Sequence, residues 1–125
     1  MPTIIDYAAG SGHFITESMH EMQRILNTTN PSEYIPDTAK KIKSWKEDHF
    51  DWAFNYVYGI EKDYRLVKVS KVGCYLHGDG LARIFHSDGL GNFSNTLEYG
   101  GLLERADKAF PKENKQFDIV VSNPP

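Results

Sequence analysis

Apolar positions change period several times along this chain, and each change marks an element. Thr3-Ile4-Ile5-Asp6 is a short apolar run that ends on an acid and leads into Tyr7-Ala8-Ala9-Gly10-Ser11-Gly12. It predicts a buried strand feeding a glycine turn. From His13 the spacing becomes helical: Ile15, Met19, Met22 and Leu26 recur, with Glu17 and Glu21 between them. Asn27-Thr28-Thr29-Asn30-Pro31-Ser32 ends that helix in a loop. Residues 37–52 predict an amphipathic helix. Asp37 is its candidate cap, and Ala39, Ile42, Trp45 and Phe50 alternate with lysines and acids. Trp45 and Trp52 are expected to anchor this segment.

Residues 54–60 are aromatic and β-branched and predict a second strand, which ends on Glu61. A helix follows from Asp63, with Leu66, Val69, Val72 and Leu76 as its apolar stripe and Gly78 and Gly80 closing it. Gly73 inside that helix costs about 1 kcal/mol against alanine; either it allows close approach to a neighbouring strand or it is simply tolerated. Residues 82–86 form a third strand ending at Ser87-Asp88-Gly89. Residues 90–99 read as loop and 102–110 as a short helix. Phe117-Asp118-Ile119-Val120-Val121 is the fourth strand and runs into Ser122-Asn123-Pro124-Pro125. Strands alternating with helices imply an α/β fold with a parallel sheet and right-handed crossovers. Ligands of open α/β sheets bind at the carboxyl ends of the strands. Asp6, Glu61, Asp88 and Asn123 all fall at such ends.

Composition narrows the classes. At 125 residues, 40% hydrophobic and 25% charged, the chain is one ordinary globular domain rather than a disordered tail or a disulfide scaffold. No apolar run approaches the roughly 18–20 residues of a membrane span, so no membrane partner is expected. The lone Cys74 cannot close an internal disulfide. With no basic, apolar leader at the start, a cytoplasmic location is expected. The five histidines show no paired spacing with Cys74 or clustered acids, so no metal centre is expected. Net charge is −3, whereas a domain that grips nucleic-acid phosphates by itself is usually basic. Nucleic-acid contact must then be local or depend on another chain or domain. Lys40, Lys41, Lys43 and Lys46 form the one candidate patch, and a solvated helix face is the plainer account of them.

Each strand end has its own chemistry. Glycines in a strand-to-helix turn let backbone approach a ligand closely. The turn lacks the third glycine of a dinucleotide fingerprint and the Gly-Lys-Ser/Thr of a triphosphate loop. A carboxylate at Glu61 can accept from both ribose hydroxyls of a nucleoside. Its distance from the glycine turn exceeds the usual spacing of roughly 20 residues, and an insertion at residues 28–52 accounts for the excess. Asp88 can accept from an exocyclic adenine amine, although by itself an Asp-Gly turn is the plainer explanation. In Ser122-Asn123-Pro124-Pro125 the prolines remove two donors. What remains is an acceptor array suited to an amine.

This order of motifs resembles the N6-adenine DNA methyltransferases, in particular the modification subunit of type I restriction–modification systems, over nearly the whole chain. Asp6-Tyr7-Ala8-Ala9-Gly10-Ser11-Gly12-His13-Phe14 is similar to the family's Asp-Pro-Ala-Cys-Gly-Ser-Gly-x-Phe loop. Tyr58-Gly59-Ile60-Glu61-Lys62 resembles its second motif, and Ser122-Asn123-Pro124-Pro125 its Asn-Pro-Pro-Tyr/Phe motif. The resemblance implies a Rossmann-like methyltransferase fold with a partial parallel sheet in strand order 3-2-1-4. It implies S-adenosyl-L-methionine as cofactor, with Asp6, Ala8, Gly10 and Gly12 at its methionine portion, Glu61 at the ribose and Asp88 at the adenine. Asn123, with Pro124 and Pro125, would face the N6 amine of an adenine flipped out of DNA, the Asn123 side chain and the Pro124 carbonyl accepting from it. Specificity and restriction subunits are the implied partners.

Tyr7 stands where the family has proline and Ala9 where it has cysteine. Residues 1–125 are expected to be a partial methyltransferase domain, with residues 28–52 as a helical insertion. Such a piece is expected to lack activity by itself and to self-associate through an exposed strand edge. The competing expectation is a non-catalytic nucleotide-binding or interaction module on a Rossmann-like fold.

Overall fold

The computed structural model describes residues 1–48, 50, 52–76, 82–91, 103 and 117–123. Four strands, β1 (Ile4–Asp6), β2 (Val57–Glu61), β3 (Arg83–His86) and β4 (Ile119–Val120), form one parallel sheet in the order β3-β2-β1-β4. This is the expected α/β, Rossmann-like order. The helices are α1 (His13–Thr28), α2 (Pro36–Glu47), a single turn α3 (Ala53–Tyr56) and α4 (Tyr64–Leu76). The expected helix at residues 102–110 and the closing glycines Gly78 and Gly80 lie outside the described residues, Leu103 excepted.

Period-two alternation sorts the strands onto two faces. Ile4, Val57 and Ile84 join Ile15, Met19, Val67 and Cys74 in the larger core, under α1 and α4. Ile5, Tyr58 and Ile60 point the other way, where Leu103 covers them and Phe85 and Phe117 flank them. Helix α1 buries Ile15, Met19, Met22 and Leu26, as its spacing predicts. At the amino end of the sheet, the Asp118 carboxylate accepts from Thr3 N at 2.7 Å and Thr3 Oγ1 at 3.0 Å. Those two bonds hold the Asp118 pKa below its ordinary value.

Three expectations change in the structure. Helix α2 starts one residue early on Pro36, whose fixed φ suits the first helical position. Asp37 is therefore not the cap but sits inside the first turn, beside the positive helix end. The helix stops at Glu47 rather than running to 52, because the chain turns inward through Phe50 at φ 64°. Strand β2 begins at Val57, opposite Ile4, not at Phe54. Residues 53–56 form one helical turn, on which the Arg83 guanidinium stacks over the Phe54 ring at 3.8 Å and Arg83 Nε donates to the Phe54 carbonyl.

Helix α4 is the third change. It buries Val67, Ser70 and Cys74, whereas Leu66, Val69, Val72 and Leu76 are exposed. The buried face is made of small side chains because it must lie close to the glycine turn. Gly12 sits against the Ser70 hydroxyl, where a Cβ would collide. Gly73, by contrast, has nothing within 4 Å of a built Cβ, so no close approach explains it.

The segment between α1 and β2 hangs on one buried amide. Gln23 Oε1 accepts from Trp52 Nε1 at 2.8 Å and from Phe50 N at 3.3 Å. Its Nε2 donates to Asn27 Oδ1 and to the Trp45 carbonyl. Trp52 is 2% exposed and Trp45 packs edge-on to Tyr56. Both tryptophans thus anchor the segment. A groove of about 520 Å³ runs between α1 and α2 at the amino ends of the strands, bordered by Met1, Pro2 and Tyr56.

Two outcomes follow from this packing. Gly73→Ala should raise unfolding free energy by up to about 1 kcal/mol in urea titrations. Gly12→Ala, with φ at 83° and Ser70 in the way, should lower it by about 1–2 kcal/mol or more. Ile119 and Val120 are 40% and 59% exposed on the outermost strand, and among the described residues none pairs with its outer edge. Sedimentation velocity should therefore show concentration-dependent association that Val120→Lys suppresses.

Candidate functional site

The site is assembled from the loops that leave β1, β2, β3 and β4 at their carboxyl ends. After β1 the chain makes a tight turn: Ala8 N donates to Asp6 Oδ1 at 3.0 Å and Gly12 N to the Ala9 carbonyl at 2.8 Å. Gly10 and Gly12 both take positive φ, at 56° and 83°. Gly12 then opens α1 without any side-chain cap.

Glu61 ties this turn to its neighbours. Its Oε2 accepts from Gly10 N at 2.6 Å and its Oε1 from Asp63 N at 2.9 Å. The Glu61 carbonyl accepts from Ser87 N at 3.0 Å, and the Ile60 carbonyl from Ala9 N at 2.9 Å. The loop after β3 closes on itself, with Asp88 Oδ1 accepting from Leu90 N and the Asp88 carbonyl from Gly91 N. Gly89 lies against the Tyr7 carbonyl, so closely that a Cβ would overlap it. Glycine is required there by contact between two loops.

Between these loops lies a cleft of about 520 Å³, within the range of a small-molecule site. Ala8, Gly10, Glu61, Asp88 and Asn123 line it. Five of the residues expected at the site are thereby brought together. Tyr7, Lys62, Leu66 and Leu90 also line it and were not foreseen. Tyr7, Lys62 and Leu90 follow strand-end residues by one or two positions, which was the available signal. Leu66 had been assigned to the core stripe, and its exposure is what frees it for the cleft.

Asp6 and Gly12, also expected at the site, are not among the residues that line the cleft. Asp6 is 1% exposed and its Oδ2 has no hydrogen-bond partner among the described residues. Burial pushes its pKa up, the Ala8 amide and the nearby Ser122 hydroxyl pull it down, and the Glu61 charge raises it further. Raising wins. Pro124 and Pro125 lie outside the described residues. Helix α2 carries Lys40, Lys41, Lys43 and Lys46 at the opposite end of the sheet, beside the amino-end groove. Lys46 Nζ donates to the Thr29 carbonyl at 3.1 Å, a structural use of that charge.

A parallel 3-2-1-4 sheet with this glycine turn, acid-bearing strand ends and cleft defines a Rossmann-like domain of the methyltransferase type. The sequence profile of the family described as N-6 DNA Methylase matches residues 2–125, and the chain belongs to that family. It is also 29% identical over 143 aligned positions to the type II restriction enzyme and methyltransferase RM.Eco57I of Escherichia coli. That match covers 96% of this chain and 14% of the relative, so the chain spans about one seventh of that protein's length.

The raised Asp6 pKa has a sign that can be checked. A carboxyl that holds its proton more tightly when folded than when unfolded favours the fold at low pH. Its contribution is lost as pH climbs from the unfolded value, 3.8, through the raised folded one. Asp6→Asn should therefore flatten that part of the stability–pH curve in urea denaturation and leave the protein no less stable at pH 7.

Proposed function

We propose that this chain forms the S-adenosyl-L-methionine-binding part of a site-specific DNA methyltransferase that modifies N6 of adenine in a restriction–modification system. Membership of the N-6 DNA methylase family supports the reaction class. The observation that carries the cofactor reading is Glu61, fixed by two backbone amides at the floor of a nucleoside-sized cleft. Each carboxylate oxygen keeps a second lone pair, so Glu61 can accept from two ribose hydroxyls without releasing its own loops. Leu66 and Leu90 give apolar surface for a purine ring. The second oxygen of Asp88 is the acceptor for its amine.

When bound, S-adenosyl-L-methionine supplies a methyl group activated on a sulfonium. The chain supplies alignment. Asn123 stands three residues past β4 and lines the same cleft. An adenine amine is a poor nucleophile because its lone pair is delocalised into the ring. The Asn123 oxygen and the Pro124 carbonyl, accepting from that amine, favour a tetrahedral nitrogen. Their hold strengthens as the new bond forms, which is selective stabilisation of the transition state. DNA is the proposed substrate, with the target base flipped out of the stack. Separate specificity and restriction subunits rest on the type I resemblance. The name of the Escherichia coli relative joins restriction and methylation in a type II enzyme.

Isothermal titration of S-adenosyl-L-methionine tests this reading. Glu61→Ala should weaken binding about tenfold or more, since hydrogen bonds to charged groups contribute about 1.5–3 kcal/mol. In a longer protein carrying this sequence, Asn123→Ala should abolish methyl transfer to adenine and leave cofactor affinity unchanged. Equal affinity in wild type and Glu61→Ala, or transfer that survives Asn123→Ala, would refute the assignment.

A further inference from the structure

Helix α4 has two apolar faces, and the fold uses one of them. Val67, Ser70 and Cys74 are buried inward. On the other face Leu66, Val69, Gly73 and Leu76 recur at spacings of three, four and three, the pattern of a seam that packs against another helix. Val72 widens that face. Val69, Val72 and Leu76 are 53%, 55% and 74% exposed. Gly73 lies in the middle of the seam, and nothing among the described residues comes within 4 Å of a Cβ built there. A glycine in a helix is unfavourable, so its place here has a reason only if a second backbone comes close from outside.

Charge says what kind of helix fits. The charged residues of α4 are Arg65, Lys68 and Lys71, with no acid among them, in a chain of net charge −3. The Arg65 side chain is 89% exposed even though it meets Asp63 at 3.4 Å. A second copy of α4 would bring these cations together, which opposes self-pairing. We propose that the outward face of α4 is a docking surface for an acidic amphipathic helix of a partner, seated on Val69, Val72 and Leu76 and crossing closest at Gly73. Leu66 ends the seam and lines the cleft, so the docked helix would border the cleft at α4.

Fluorescence anisotropy on this chain tests the proposal with two labelled, lactam-bridged helical peptides. Both carry leucine at the seam positions; one has glutamate beside them and the other lysine. The net charge of −3 alone would favour the lysine peptide, so the opposite preference reports the local face. The glutamate peptide should bind about tenfold or more tightly than the lysine peptide, and Gly73→Leu or Val69→Asp should weaken it by a similar factor. Urea denaturation should show Gly73→Leu no less stable than wild type, since the added side chain meets open space. No binding of the glutamate peptide, equal binding of the two peptides, or binding unchanged in both variants overturns the proposal. Self-association abolished by Gly73→Leu would assign the face to a second copy and overturn it equally.

Discussion

Glu61 commits both carboxylate oxygens to backbone amides in two different loops, Gly10 in the turn after β1 and Asp63 at the entry to α4. Its own carbonyl receives Ser87 from the loop after β3. Residue 61 therefore touches three strand ends at once. The parallel sheet sets the strands side by side, but it leaves the loops beyond them free to splay. The Glu61 contacts remove that freedom. Charge-assisted bonds of this kind are about twice as strong as neutral ones, and here they act on backbone, where little entropy remains to be lost. The cleft is preorganised by a residue that also faces its interior, which is how a small site keeps its shape without a large supporting shell.

The two ends of the sheet have different tasks. At the carboxyl ends the loops are short, glycine-bearing and cross-bonded, and they enclose the cleft. At the amino ends the Thr3–Asp118 contacts clip β1 to β4, and the α1–α2 groove lies alongside. The segment that follows α1 starts at the amino end of the sheet, because α1 runs antiparallel to its strand. Its bulk therefore stays away from the acids at Glu61 and Asp88. The long spacing between the glycine turn and Glu61 is accommodated without disturbing either.

Much of this was legible in the chain itself, for identifiable reasons. Helix α1 buries a full stripe of large apolar residues, so its period is unambiguous. The strand ends announce themselves because each apolar run stops on a polar residue. Helix α4 was misread because hydropathy counts only how apolar a face is. Its inward face had to be small to admit Gly12, so the larger residues were turned outward. Residues 53–56 carry strand-forming aromatics, yet partnering begins only where Ile4 offers a ladder to Val57. Asp6 stands at its strand end as expected, and its side chain is buried rather than lining the cleft. Sequence marks the residue at a strand end, whereas the direction of its side chain follows from the pleat. No contact among the described residues accounts for Gly73.

Gln23 is a polar side chain in an apolar setting, 2% exposed, and its amide engages Trp52, Phe50, Trp45 and Asn27. An attachment concentrated on one amide behaves differently from one spread over a broad apolar surface. It defines where the segment returns to the core, near Trp52, and asks little of the path taken from Asn30 to Asp37. Length and composition can drift in that outer stretch while the return point stays registered. That outer stretch can thus change in size without altering the cleft at the carboxyl ends of the strands. A substitution at Gln23 would remove that tolerance in a single step.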